Sequence, residues 1–117
     1  MILVDTSVWV NHLRQPDASL QQALIDQQVL MHPFVLGEIA CGNLQHRASI
    51  LSDLSKLPSA VSAENYEVLT LIEQHRLFGK GIGWIDAHLL TSALLTHCRL
   101  WTGDVRLHET AVRFKLA

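Results

Sequence analysis

Four carboxylates interrupt stretches of this 117-residue chain that are otherwise too apolar to host a charge without reason: Asp5, Glu38, Asp86 and Asp104. Asp5 ends the run Met1-Ile2-Leu3-Val4, and Glu38 sits inside Phe34-Val35-Leu36-Gly37-Glu38-Ile39-Ala40. Asp86 follows Trp84-Ile85 at the start of a long apolar segment, and Asp104 follows Trp101-Thr102-Gly103. Burying an unpaired carboxylate costs roughly several kcal/mol, so such residues need donors or a cation. Helix N-termini favour nearby anions by about 0.3–1 kcal/mol each, too little to hold four like charges together. A divalent cation suffices, and an all-carboxylate donor set selects hard ions, Mg²⁺ or Mn²⁺, over zinc.

Each acid also has a plainer account. Asp86 and Asp104 read equally as first-turn acids that complement a helix dipole, and Glu38 as a charge leaning out to solvent. Asp5 resists that treatment, because a carboxylate at the end of a buried strand has no cheap exit to water. Asp26, Asp53, Glu64, Glu67, Glu73 and Glu109 fall on polar helical faces and read as solvated surface.

Positioning these acids requires strands that end on them and helices that begin on them. Ile2-Leu3-Val4 is apolar on both faces, the mark of a strand in a parallel sheet covered on both sides. Val8–Leu13 is predicted as a short helix stopped before Pro16, and a second helix opens with Ser19 and Gln22 spaced as a capping box and ends near Gln28. Val29-Leu30-Met31 is a second strand, and Pro33 starts a helix closed by Gly42. Ile50, Leu51, Leu54 and Leu57 mark a helix ending before Pro58, Ala60-Val61 a small third strand, and Ser62 the cap of a helix through Ile72. Gly79-Lys80-Gly81-Ile82-Gly83 is a flexible loop, Trp84–His97 the longest apolar helix, Arg99–Thr102 the last strand, and Asp104 the start of a final helix. Strands alternating with helices predict one α/β domain over residues 1–117, three layers with a short, mostly parallel sheet. Acids at strand ends then converge in the crevice where open α/β sheets take their ligands.

The totals agree with a single globular domain. Apolar residues make up 49% and charged residues 17% of the chain, which argues against disorder. A net charge of -2 lacks the basic footprint of a tight, non-specific nucleic-acid binder. Cys41 and Cys98 form no CxxC and read as free, buried thiols of a reducing compartment. Without a leader segment or a membrane-length apolar run, the expected location is the cytoplasm.

At these residues the sequence resembles the PIN-domain family, and within it the VapC-type toxins of toxin–antitoxin pairs. The matching pieces are Ile2-Leu3-Val4-Asp5-Thr6-Ser7, Glu38 in its apolar helix, Trp84-Ile85-Asp86-Ala87 and Leu100-Trp101-Thr102-Gly103-Asp104, in order along almost the whole chain. The resemblance implies that Asp5, Glu38, Asp86 and Asp104 are both catalytic residues and ligands of Mg²⁺ or Mn²⁺. It further implies that Thr6, Ser7 and Thr102 orient them through hydroxyls, and that the reaction is RNA hydrolysis leaving a 5′-phosphate and a 3′-hydroxyl. A homodimer and a small antitoxin covering the acidic groove are the implied partners, with no membrane. The chain departs from the pattern after the last acid. Many relatives carry another acid and an aromatic there, whereas this chain has Val105-Arg106-Leu107. Asp104 is then the sole carboxylate at that end, and Arg106 becomes a candidate phosphate contact beside Arg76 and Lys80.

Other classes fit less well. The glycine-rich loop follows a helix and lacks the full dinucleotide spacing; its alternative to an RNA contact is a plain flexible connection. A haloacid-dehalogenase phosphatase needs a second aspartate where Ser7 stands, and a receiver domain needs an acidic pair that is missing. The seven histidines show no paired metal spacing, so packing or surface roles are expected of them. Trp9, Trp84 and Trp101 abut apolar runs and are expected in the core or a dimer interface. The reading from a different class is a non-catalytic binding module whose acids are vestigial.

Overall fold

The computed structural model describes all 117 residues. At its centre is strand β1 (Ile2–Val4), flanked by β2 (Val29–Leu30) and β3 (Arg99–Trp101) in the order β2-β1-β3. Both pairings are parallel, with Ile2 opposite Val29 on one side and Val4 opposite Trp101 on the other. Leu3 and Val4 are fully buried and Leu30 and Leu100 nearly so, as expected for strands covered on both faces.

Seven helices surround the sheet: α1 (Thr6–Arg14), α2 (Ala18–Ile25), α3 (Pro33–Cys41), α4 (Arg47–Ser55), α5 (Asn65–His75), α6 (Trp84–Thr96) and α7 (Val105–Arg113). Helix α1 packs on α3, α5 on α6, and both α6 and α7 on β3, which gives the three-layer arrangement. Helix α6 is buried continuously from Ala87 to Ala93. That explains the lack of a polar face in its middle, which is enclosed on every side from Ala87 to Ala93. Trp9, Leu20, Leu89, Leu90 and Leu107 join the strand side chains in one apolar core.

Several local features differ from the sequence expectation. The cap of α2 is Asp17, whose carboxylate accepts the Leu20 N–H at 2.9 Å, so Ser19 and Gln22 form no capping box. Helix α1 starts at Thr6, directly on Asp5, and α2 stops at Ile25. Ala60-Val61 makes no strand. Met31 forms a single parallel bridge with Ser59, and the Val61 N–H goes to the Thr96 hydroxyl at 2.9 Å. Helix α5 is capped not by Ser62 but by Glu64, whose N–H donates to the Glu67 carboxylate at 2.9 Å. Cys41 is exposed at the end of α3, while Cys98 is buried. No helix is long and apolar enough to cross a membrane.

Candidate active site

The site grows from the carboxyl ends of β1 and β3. Because Val4 pairs with Trp101, the next residues on each strand emerge side by side in the crevice. Asp5 leaves β1 and caps α1, with Oδ1 accepting the Thr6 N–H at 2.7 Å. Its other oxygen accepts two hydroxyls, Thr102 Oγ1 at 2.7 Å and Ser7 Oγ at 3.1 Å. Asp5 is only 7% exposed, and these donors offset the cost of burying its charge.

The same hydroxyls reach onward. Thr102 Oγ1 accepts the Asp104 N–H at 3.0 Å, and Ser7 Oγ accepts the Gly103 N–H at 3.0 Å. Each therefore donates to Asp5 and accepts from the turn after β3, so both are fully committed to one orientation. Asp104 caps α7 through the Leu107 N–H at 2.9 Å. Thr6 Oγ1 donates to Glu38 Oε1 at 2.8 Å, which ties exposed Glu38 of α3 to the start of α1. Asp5, Glu38 and Asp104 thus belong to one hydrogen-bonded set joined by Thr6, Ser7 and Thr102.

Asp86 enters the set through charge. Its Oδ2 accepts the Gly83 N–H at 3.1 Å, which closes the first turn of α6. Burial pushes its carboxyl above the usual range, and the fields of Asp5, Asp104 and Glu38 push the same way against the Gly83 hydrogen bond. Three like charges thus act on this one half-buried carboxyl. No Lys or Arg lies within ion-pair distance of any of the four; the protein's single side-chain ion pair is Lys56–Asp53 at 4.0 Å. Each of the four carboxylates keeps an oxygen or a lone pair free of protein donors.

The donor set suits a hard divalent ion. All four groups are carboxylates, their mutual repulsion is uncompensated, and hydroxyls fix the orientation of the most buried one. As they stand, no three of them converge closely enough to share an ion. Like-charge repulsion favours that spread in the absence of a cation.

The expected RNA-contact residues lie apart from this set to different degrees. Arg76 ends α5 in a left-handed conformation, and Lys80 is exposed in the 79–83 loop. Arg106 stands in the first turn of α7, two residues beyond Asp104. A groove of about 520 Å³ opens beside Glu38, with Arg14 of α1 on its wall. Arg14 escaped the sequence reading because nothing in its helix distinguishes it from a solvated last-turn cation.

Also unforeseen is an aromatic row next to the acids. Phe34 packs edge-on against His32 and His88 with ring centroids 5.2 and 4.8 Å apart, and Trp84 meets His88 at 4.7 Å. Trp84 is 43% exposed, so it is not a core residue; Trp9 is buried as expected. His32 and His88 take packing roles, His32 also capping α3 through the Phe34 N–H at 2.9 Å. Burial lowers both imidazoles, His32 to about 4.

With this geometry in view, comparison with known proteins is decisive. Residues 2–113 match the family described as PIN domain. The chain belongs to the PIN-domain family. This PIN domain is also 46% identical over 108 residues to "Ribonuclease VapC32" of Mycobacterium tuberculosis, in strains CDC 1551 / Oshkosh and ATCC 25618 / H37Rv alike. The match covers 92% of this chain and 87% of that protein. The fold expected from alternating strands and helices is therefore the fold of the family.

Proposed function

We propose that this PIN domain is a metal-dependent endoribonuclease, the toxin of a toxin–antitoxin pair, with Asp5, Glu38, Asp86 and Asp104 as its catalytic carboxylates. The observation that supports the reading is that hydroxyls link Asp5, Glu38 and Asp104, that the charges of all three bear on Asp86, and that none of the four has a cationic partner. Near-full-length similarity to a protein named a ribonuclease supports the substrate class.

Asp5, Glu38, Asp86 and Asp104 would hold Mg²⁺ or Mn²⁺. When bound, the ion supplies Lewis acidity and a positive charge facing the phosphodiester. The protein's own part is orientation and charge. Thr102 and Ser7 keep the Asp5 carboxylate from rotating, and Thr6 sets the reach of Glu38. Asp86 binds a proton more readily than an ordinary carboxylate, so protons and cation compete there and metal affinity falls on acidification. Arg14, Arg76, Lys80 and Arg106 are the cations available to the RNA backbone. Cleavage is expected to leave a 5′-phosphate and a 3′-hydroxyl.

A second copy and an antitoxin protein complete the proposal. Tyr66, Leu69 and Leu95 lie exposed on α5 and α6 and offer an apolar face for a second copy. Two free thiols support action in the cytoplasm.

The test is cleavage of single-stranded RNA with Mg²⁺, with excess chelator, and by Asp5→Asn. Cleavage is expected to vanish in both latter cases while circular dichroism stays native. Undiminished cleavage by a clean Asp5→Asn preparation would remove the carboxylate site, and undiminished cleavage under chelation would remove the metal. A chain that cleaves no RNA in any condition would be the binding module instead.

A further inference from the structure

Gly81 and Arg106 lie against each other, and a side chain at Gly81 would displace the arginine from its present position. Gly81 has φ +79, a conformation disfavoured for any L side chain. A Cβ at Gly81 would meet the side chain of Arg106, with Cδ 2.5 Å and Cζ 3.0 Å away. The far part of the Arg106 side chain, guanidinium included, therefore lies on the Gly81 backbone, where a Cβ would force it to shift. Gly79 is the natural contrast: its φ is also positive, at +69, yet a Cβ there would meet nothing within 4 Å. Of the two left-handed glycines in the loop, one opens space for a side chain and the other does not.

Both ends of this contact stand close to the carboxylates along the chain. Arg106 follows Asp104 by two residues in the first turn of α7, and Gly81 precedes Gly83, whose N–H holds Asp86. The guanidinium makes no ion pair with any carboxylate, so its charge stays free. A planar, permanently charged group with several donors suits a phosphate of the substrate backbone.

Building on the carboxylate-site reading above, we infer that Gly81 is a seat that positions Arg106 as a fixed phosphate anchor for single-stranded RNA. Gly81 is a positioning residue, acting through the arginine; Arg106 touches the substrate.

The experiment measures binding of a short fluorescein-labelled single-stranded RNA to chelator-treated Asp5→Asn protein across a salt series. In that background Arg106→Ala is expected to weaken binding about tenfold and to lower the slope of log affinity against log salt by about 0.7, the value for one single-strand phosphate contact. Gly81→Ala should reproduce both effects, and Gly81→Ala combined with Arg106→Ala should be no worse than Arg106→Ala alone. Gly79→Ala carries the same backbone strain without filling the seat, and it should leave the slope unchanged. The inference is overturned if Gly81→Ala behaves like Gly79→Ala, if its effect adds in full to that of Arg106→Ala, or if Arg106→Ala leaves the slope intact. Its failure is separate from that of the carboxylate site, which is judged by cleavage in the otherwise unaltered Asp5→Asn protein.

Discussion

Thr102 sits at the junction of two demands, donating to Asp5 and accepting from the Asp104 backbone. Thr102→Val keeps the shape and removes both bonds, so RNA cleavage at limiting Mg²⁺ is expected to fall about 10–100-fold. Thr102→Ser should recover most of that loss; equal defects in the two variants would assign Thr102 a packing role only. Asp86 poses the opposite case. A carboxyl whose folded pKa is raised contributes stability below its unfolded pKa and loses it as pH rises through the folded value. At neutral pH its charge therefore opposes folding. Asp86→Asn keeps an acceptor for the Gly83 N–H while removing the charge, and it should melt higher than the parent protein in metal-free buffer while losing activity. A lower melting temperature would refute that account.

Among the helices, α3 is the one whose placement matters most to the site, because it carries Glu38 and begins on buried His32. The His32 imidazole is lowered from 6.5 to about 4, so the folded protein binds fewer protons there than the unfolded chain between those values. Stability is full above about pH 6.5 and is lost as pH falls toward 4, by about 3 kcal/mol from this group. Urea midpoints between pH 7 and 4.5 should fall accordingly, and His32→Asn, which can still cap α3, should flatten the dependence. An unflattened slope would place the acid sensitivity elsewhere, His88 being next with a shift of the same sign. The major elements were legible in the chain itself, since buried strands and the apolar α6 leave strong periodic signals. Asp5 was legible for a related reason, the cost of ending a buried strand on a charge. The caps were not. Asp17 and Ser19 are both good capping residues two positions apart, and only the entry direction of the chain into α2 favours the first. Ala60-Val61 failed as a strand because the Val61 N–H found the Thr96 hydroxyl instead of a ladder. Gly81 looked no different from Gly79, and only the position of Arg106 separates them.

Taken whole, the molecule concentrates uncompensated negative charge at one end of its sheet while a net charge of only -2 is spread over the chain. A ligand that binds the folded state alone raises stability by mass action, about 2.7 kcal/mol at a hundredfold excess over its Kd. Mg²⁺ is accordingly expected to raise the melting temperature by several degrees, and the Asp5→Asn protein to respond much less. Equal shifts in the two proteins would indicate a general salt effect instead of occupancy.

Thr102 and Asp5 lie 97 positions apart in the chain, and their bond spans the pairing of the first strand with the last. During translation the amino-terminal half emerges with Asp5 and Glu38 already made, yet the Thr102 hydroxyl that helps orient Asp5 is still unsynthesised. A nascent chain that has not reached Thr102 therefore holds the Asp5 carboxylate by Thr6 and Ser7 alone.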